Sequence, residues 1–221
     1  MNNLLKYSLS ILKTIYVNFK IFEFKIAIKL PIFVAYNTKI HKIYKNSIII
    51  NSEKITIAMI KIGFGGTNFI PSQKSSINIA KNSKIEFEGK AFFSEGICIN
   101  TERKAFMKFG NNFSCNKNCI FYSCKSIEIG DNVLLGWNVN FRDNDGHTIV
   151  YKNKDKQNEK SIVIKNNVWI ASYVDVLKGV IVEENSVVAT RSCITKEFSL
   201  PNILIGGYPA KIIEEDITWR K

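Results

Sequence analysis

Two aspartates and one histidine lie within five residues of one another, as Asp143, Asp145 and His147 in the sequence Asp-Asn-Asp-Gly-His. Histidine can take a proton from a hydroxyl near neutral pH, because its unperturbed pKa lies close to that range. A neighbouring carboxylate would fix the tautomer of the ring and stabilise the imidazolium once it forms. Either aspartate could do this, bind substrate hydroxyls or cap the turn. A single histidine in a polar segment is by itself weak support for catalysis.

The other histidine and the cysteines indicate less chemistry. His41 has no carboxylate or second histidine near it in sequence, so we expect a surface residue. The cysteines are odd in number and are not spaced as paired CxxC units, which disfavours both a disulfide framework and a metal site. We interpret them as reduced thiols of a cytoplasmic protein, in core or turn positions. They are Cys98, Cys115, Cys119, Cys124 and Cys193.

A six-residue repeat of apolar positions surrounds the histidine. Counting in sixes from Ile164 reaches only aliphatic residues as far as Ile194, and small or apolar residues follow four positions after each of them. A second series runs from Ile79 to Phe121 with Arg103 as its only polar member, and a third holds Ile129, Leu135 and Phe141. Such spacing predicts short strands separated by turns, with one inward side chain in each repeat, which is a β-solenoid.

The repeat stops between residues 142 and 163, where about twenty polar residues intervene. A segment of this kind cannot lie inside a solenoid, so we expect a loop that projects from one side. Insertions in repeat proteins often carry function. His147 lies at the base of this 142–163 loop.

Hexads such as Ile129–Val133, Ile170–Val174 and Val188–Ser192 resemble the hexapeptide-repeat acyltransferase family, and the resemblance covers roughly residues 77 to 212. It implies a mainly β fold, a left-handed parallel β-helix of triangular section, which is an exception to the usual right-handed crossover. It also implies a homotrimer with sites between neighbouring solenoids, so that His147 and Trp169 could come from different subunits.

The same resemblance assigns site residues. The segment Asp143 to His147 looks like the one that carries the catalytic histidine in sugar O-acetyltransferases, which implies His147 as general base, with Asp145 and Asp143 beside it. Val168-Trp169-Ile170-Ala171 resembles the motif whose tryptophan lies beside the pantetheine arm of acetyl-CoA. The threonine and lysine of Ser192–Glu197, and the closing Gly206–Lys211 segment, are similar to the nucleotide end of the cofactor site. The implied cofactor-binding residues are Trp169, Ala171, Ala189, Thr195, Lys196, Gly207, Pro209 and Lys211.

The segments outside the repeats are less specific. We divide the chain into residues 1–70, with a helix and short strands, a solenoid over 71–205, and a closing tail over 206–221. Residues 2 to 24 have the periodicity of an amphipathic basic helix that packs on the body or on a sister subunit, or that lies on an anionic membrane surface. We interpret the net charge of +12 as a general lysine bias, and no motif predicts nucleic-acid binding.

The resemblance implies an enzyme that transfers an acetyl group from acetyl-CoA to a sugar hydroxyl of a surface polysaccharide or lipopolysaccharide precursor, by direct attack and without a metal. Two alternatives stay open. One is N-acetylation of a nucleotide-linked amino sugar, or acetylation of another small molecule. The other is a non-catalytic β-solenoid scaffold at an anionic membrane. The identity of the acceptor does not follow from the sequence.

Overall fold

The computed structural model describes residues 3–71 and 73–220. The chain forms the predicted left-handed parallel β-helix, with three parallel sheets here called faces A, B and C. Face A contains β1 (Ile32–Val34), β4 (Ile60–Ile62), β7 (Ala91–Phe93), β10 (Phe113–Cys115), β13 (Leu134–Leu135), β18 (Trp169–Ile170), β21 (Val187–Val188), β23 (Leu204–Gly207) and the antiparallel β24 (Ala210–Glu214). Face B contains β2 (Lys39–Lys42), β5 (Ser76–Ile79), β8 (Cys98–Thr101), β11 (Ile120–Ser123), β14 (Asn140–Arg142), β19 (Asp175–Leu177) and β22 (Cys193–Ile194). Face C contains β3 (Ile48–Ile50), β6 (Lys84–Phe87), β9 (Phe106–Phe109), β12 (Ser126–Ile129), β17 (Ile162–Ile164) and β20 (Ile181–Val182).

Three elements lie outside these faces. They are the helices α1 (Asn3–Ile21) and α2 (Phe24–Ala27), and a hairpin of β15 (Val150–Tyr151) and β16 (Lys154–Asp155) inside the 142–163 loop. None of the helices among the described residues is both long and apolar enough to cross a membrane.

The apolar repeat forms the interior, but the coils differ in length. Phe121 pairs with Ile99 of the preceding coil and with Phe141 of the following one, whereas Val176 pairs with Ile194 near the C-terminal end. Ile99 and Phe121 are further apart in sequence than Val176 and Ile194, so the coils near the C-terminal end are shorter. The extra residues of the longer coils extend their corners into solvent. Arg103 lies in such a corner and is exposed, which explains the polar member of the second series.

Aromatic side chains fill the wider coils. Their rings contact one another with centroids 5.0 to 6.2 Å apart, in stacked and edge-on arrangements that aromatic pairs favour. A longer coil encloses more volume, and an interior packed to normal density needs larger side chains to fill it. The shorter coils near the C-terminal end are filled mainly by valine and isoleucine. The rings that are fully buried inside these coils are those of Phe87, Phe93, Phe109, Phe113, Phe121 and Phe141.

Helix α1 covers the free edge of β1 with its polar side. The Asn18 amide bonds to both backbone groups of Ile32, at 2.7 and 3.1 Å, and the Thr14 hydroxyl accepts from the Val34 N–H at 3.0 Å. Four helical residues rise about 6.0 Å and two strand residues about 6.6 Å, so the side chains match the spacing of the edge groups. The helix therefore replaces a neighbouring strand and satisfies an edge that would otherwise be open to pairing.

The domain boundary that we expected from the sequence at residue 71 does not coincide with a break in the sheets. Strand β1 pairs with β4, β2 with β5 and β3 with β6, so the coil extends back to Ile32. At the other end, β24 folds back antiparallel on β23 and closes face A. Strands β1 to β4 were not detected as part of the repeat, because the coils that contain them are too long for a six-residue period.

Candidate active site

Asp143 fastens the start of the 142–163 loop to the preceding coil. Its carboxylate is fully buried and accepts hydrogen bonds from the Ser123 hydroxyl at 2.7 Å and from the Cys124 and Lys125 peptide N–H groups at 2.7 and 2.8 Å. Its own carbonyl accepts from the Lys160 N–H at 2.9 Å, which joins the two ends of the loop. The buried charge is therefore well satisfied, and its contacts are those of a structural anchor.

Asp145 lies further out and turns to the following coil. Its carboxylate forms an ion pair with the Lys178 ammonium, and its N–H donates to the Asn158 carbonyl at 3.2 Å. The pairing of Phe141 with Val176 places Lys178 in the same register position as Asp143, one coil later. The two aspartates thus connect the loop to the coils before and after it.

His147 is exposed, and no hydrogen bond or ion pair joins it to another residue of the described chain. Gly146 before it has a φ of 76°, a left-handed conformation in which glycine is strongly favoured, and an added Cβ there would meet open space. The loop therefore holds the imidazole on the surface, next to the hydrogen-bonded segment where the loop begins. A ring in this position is accessible to a substrate hydroxyl.

Two of the predicted cofactor residues share the edge from which this loop projects. The loop leaves face B after β14 and returns to face C at β17, and Thr195 and Lys196 leave face B in the same way after β22. Register places Lys196 one coil beyond Lys178, at a spacing of about 4.8 Å. Edge B–C, the edge between these two faces, therefore brings the histidine segment and the basic pair Lys178 and Lys196 onto one side of the solenoid.

The remaining predicted cofactor residues belong to face A and to its edge with face B. Register aligns Ala171, Ala189 and Gly206 in successive coils, and an added Cβ on Gly206 would lie 3.1 Å from the Ala189 Cβ. Gly207 ends β23 and Pro209 lies in the turn before β24, where Lys211 pairs with Gly206. Trp169 begins its strand on face A, and its indole is partly exposed. Within one chain, the predicted site residues thus divide between two edges.

Sequence reasoning missed two residues beside this site. Lys178 has no motif around it, and only the register of β14 with β19 brings it to Asp145. Trp219 contacts Trp169 at 6.0 Å between ring centroids, and its indole N–H donates to the Asn167 carbonyl at 2.8 Å. A tryptophan in a segment of mainly polar residues is a signal that could have indicated this contact.

Cys193 and Cys124 are poor nucleophiles in this fold. Burial raises the pKa of the Cys193 thiol, and the Asp175 carboxylate raises it further. Burial likewise raises the pKa of Cys124, the cysteine beside the loop base. A thiol with a raised pKa holds less of the reactive thiolate at neutral pH. Among the described residues, no group of three or more histidine, cysteine and carboxylate side chains is arranged to hold a metal ion.

Comparison with known proteins identifies the type of solenoid. No family model matches the chain. The chain is 36% identical over 108 residues to galactoside O-acetyltransferase of Escherichia coli (strain K12), which covers 48% of this chain and 52% of that protein. Over about half of its length the chain is therefore similar to an acetyltransferase. The crystal structure of the polySia specific acetyltransferase NeuO matches with a TM-score of 0.54 at 20% identity, over 86% of this chain and 89% of that one, a likeness that shows the fold.

A third protein is similar to this chain over most of its length. It is an uncharacterized 24.8 kDa protein in the cps region of Klebsiella pneumoniae, 26% identical over 188 residues, covering 80% of this chain and 83% of that protein. By contrast, the chain spans about half the length of the E. coli relative.

Proposed function

We propose that this protein transfers an acetyl group from acetyl-CoA to a hydroxyl of a sugar in a surface polysaccharide or lipopolysaccharide precursor. The observation that supports this most is the arrangement at edge B–C, where the 142–163 loop with its exposed histidine shares a side of the solenoid with Thr195 and Lys196. A histidine suits the removal of a hydroxyl proton, and a lysine suits the phosphates of coenzyme A. The names of the E. coli and NeuO relatives agree with sugar acetylation.

In the proposed reaction, the His147 imidazole takes the proton of the acceptor hydroxyl as its oxygen attacks the thioester carbonyl. The tetrahedral intermediate collapses, the carbon–sulfur bond breaks, and the imidazolium returns the proton to the leaving thiolate. The products are the acetyl ester and coenzyme A. Direct attack needs no acyl-enzyme, which agrees with the raised pKa of the Cys193 thiol. Both aspartates are proposed to hold the loop that carries His147. Asp143 does so by accepting hydrogen bonds from the Cys124 and Lys125 N–H groups, and Asp145 by its ion pair with Lys178.

We also propose that the protein is a homotrimer whose site lies between two subunits. One chain carries His147 on edge B–C, while Trp169, Ala171, Ala189, Gly207, Pro209 and Lys211 lie on face A or at its edge with face B. Two different edges of one triangular coil cannot face the same ligand. A cyclic assembly, however, can bring edge B–C of one subunit against the edge between faces A and B of the next subunit. A cytoplasmic location is proposed with it, which fits the five free cysteines.

Replacing His147 by alanine tests the mechanism. We expect turnover to fall by roughly a hundred- to ten-thousand-fold, the usual contribution of a general base, while the Kd for acetyl-CoA measured by calorimetry changes little. His41→Ala is a matched control, because His41 is an exposed histidine on face B in the first coil, away from the 142–163 loop. Near wild-type turnover in His147→Ala would refute the mechanism.

Two assays separate the alternatives. Alkaline lability of the product distinguishes an ester, which hydrolyses, from the amide that N-acetylation of an amino sugar would give. Calorimetric titration with coenzyme A tests the scaffold alternative, because absence of binding at millimolar ligand would favour a non-catalytic solenoid.

A further inference from the structure

The outer side of α1 is apolar, because its polar side faces β1. Leu5, Leu9, Leu12, Tyr16 and Phe19 are spaced by alternating steps of four and three residues, which keeps them on one helical face. All five side chains are exposed, Leu12 by 79%. A continuous row of large apolar residues on a protein surface indicates an interaction site.

The same surface continues into α2 and its C-terminal end. Phe24 is 70% exposed and Ile28 is also exposed, and the Phe24 ring contacts that of Phe19 at 6.1 Å between centroids. The outer face, defined here as these two residues together with the five of α1, is therefore a surface of seven large apolar side chains that extends over both helices.

Cations border the outer face, and acidic groups are scarce around it. Lys20, Lys25 and Lys29 are exposed. Residues 1–50 contain eight lysines and one acidic residue, so they carry +7 of the chain's net charge of +12, and the one acid, Glu23, pairs with Lys45 at 3.2 Å. The positive charge is thus concentrated in the N-terminal part of the chain that contains both helices, in contrast to the general lysine bias expected from the composition.

We propose that the outer face lies on an anionic membrane surface, with its apolar side chains in the headgroup region and the three lysines paired with lipid phosphates. An apolar face bordered by lysines is the arrangement by which amphipathic helices bind such surfaces in the plane of the membrane. Packing the same face of a second copy against it would bring like charges together, which disfavours that occupant. The proposal is independent of the acetyl-transfer reaction.

The orientation follows from the contacts of α1. The helix bonds to the free edge of β1, the first strand of face A, so it covers the N-terminal end of the solenoid. Its outer face points away from the coils. Membrane contact would therefore leave edge B–C and the 142–163 loop accessible.

Flotation of the full chain with lipid vesicles tests the proposal. We expect recovery with vesicles of phosphatidylcholine and phosphatidylglycerol, and little recovery with phosphatidylcholine alone. The double substitution Leu12→Glu and Tyr16→Glu should lower the partition coefficient at least tenfold, because it places two carboxylates on the outer face. Leu200→Glu is the control, since Leu200 is 47% exposed in the last coil of the solenoid, at the end opposite α1, and its replacement should not alter binding.

A charge series tests the lysines separately. Replacing Lys20, Lys25 and Lys29 by glutamine should weaken binding to anionic vesicles by roughly a hundredfold, whereas the same change at three exposed lysines elsewhere should have much less effect. Those controls are Lys81, Lys104 and Lys165. Circular dichroism and acetyl transfer to a soluble acceptor should match wild type in every variant.

Three results would overturn the proposal. The first is failure of the wild-type chain to float with anionic vesicles. The second is unchanged flotation of the Leu12→Glu, Tyr16→Glu variant. The third is a lower molar mass of that variant in light scattering, which would mean that another copy of the chain covers the outer face.

Discussion

Replacement of Asp143 by alanine should destabilise the base of the 142–163 loop far more than replacement of Asp145. Removing the Asp143 carboxylate leaves two partly buried peptide N–H groups, those of Cys124 and Lys125, without an acceptor. A buried unpaired group costs about 1–3 kcal/mol, and partly buried groups lie towards the lower end of that range. The Ser123 hydroxyl keeps a second acceptor, the Phe106 carbonyl at 3.4 Å.

Counting the two peptide groups alone, we expect a loss of about 3 kcal/mol, which for a chain of this size lowers Tm by roughly 6–12 °C. The Asp145 carboxylate is partly exposed and has one ion pair, with Lys178. Surface ion pairs contribute about 0–1 kcal/mol, so Asp145→Ala should lower Tm by less than about 4 °C.

Calorimetry measures both shifts, and hydrogen exchange locates them. In Asp143→Ala, the amides of Cys124 and Lys125 should exchange faster, because they lose their acceptor. Asp155→Ala is a control, since Asp155 is exposed in the hairpin of the same loop. Equal melting temperatures for the Asp143 and Asp145 variants, or unchanged exchange at the two amides, would refute the assignment of Asp143 as the anchor.

Three further experiments test the cofactor contact, the helix that covers β1 and the sharing of sites between subunits. Lys196→Gln should raise the KM for acetyl-CoA roughly tenfold with little change in kcat, and Lys165→Gln should change neither; an equal effect of both would contradict a phosphate contact. Asn18→Leu should cost about 2–4 kcal/mol in urea unfolding, because it leaves two edge groups of β1 unpaired, and unchanged stability would contradict the edge-covering role. Refolding a one-to-one mixture of His147→Ala and Trp169→Ala chains should restore about one quarter of the sites if two subunits share each site, whereas no recovery would place both residues in one chain.

The interior of the fold could be predicted from the sequence because burial in a solenoid depends on local spacing. Ile164, Val176 and Ile194 are all buried, as the six-residue count requires. The lengths of the coils could not be predicted in this way. The pairing of Ile99 with Phe121 depends on the space that stacked phenylalanine rings need, which is a property of three-dimensional packing.

The orientation of α1 could not be predicted because its periodicity has two interpretations. An apolar stripe normally indicates the buried face of a helix, and here it is the outer face. The decisive factor is the open edge of β1, whose peptide groups need polar partners. Ser10, Thr14 and Asn18 lie four residues apart and supply them. Similarly, the sequence could not distinguish the roles of the two aspartates, since the register of β14 determines which coil each one contacts.

The positions of the outer face and of the 142–163 loop along the solenoid predict a preference for long acceptors. Face A passes from β1 through β4, β7 and β10 to β13, which lies in the coil that leads into the loop. Four steps of about 4.8 Å place the base of the loop roughly 20 Å from the first coil. If the outer face lies on a bilayer, a hydroxyl next to a lipid phosphate cannot reach His147.

We therefore expect a larger kcat/KM for vesicle-bound glycolipids whose glycan extends beyond this distance than for glycolipids with a single sugar. The two should react alike when detergent removes the bilayer, because the height above the surface then no longer matters. The Leu12→Glu, Tyr16→Glu variant should also lose the preference. A single-sugar glycolipid that reacts as fast as the extended one on vesicles would contradict the orientation, even where membrane binding itself is observed.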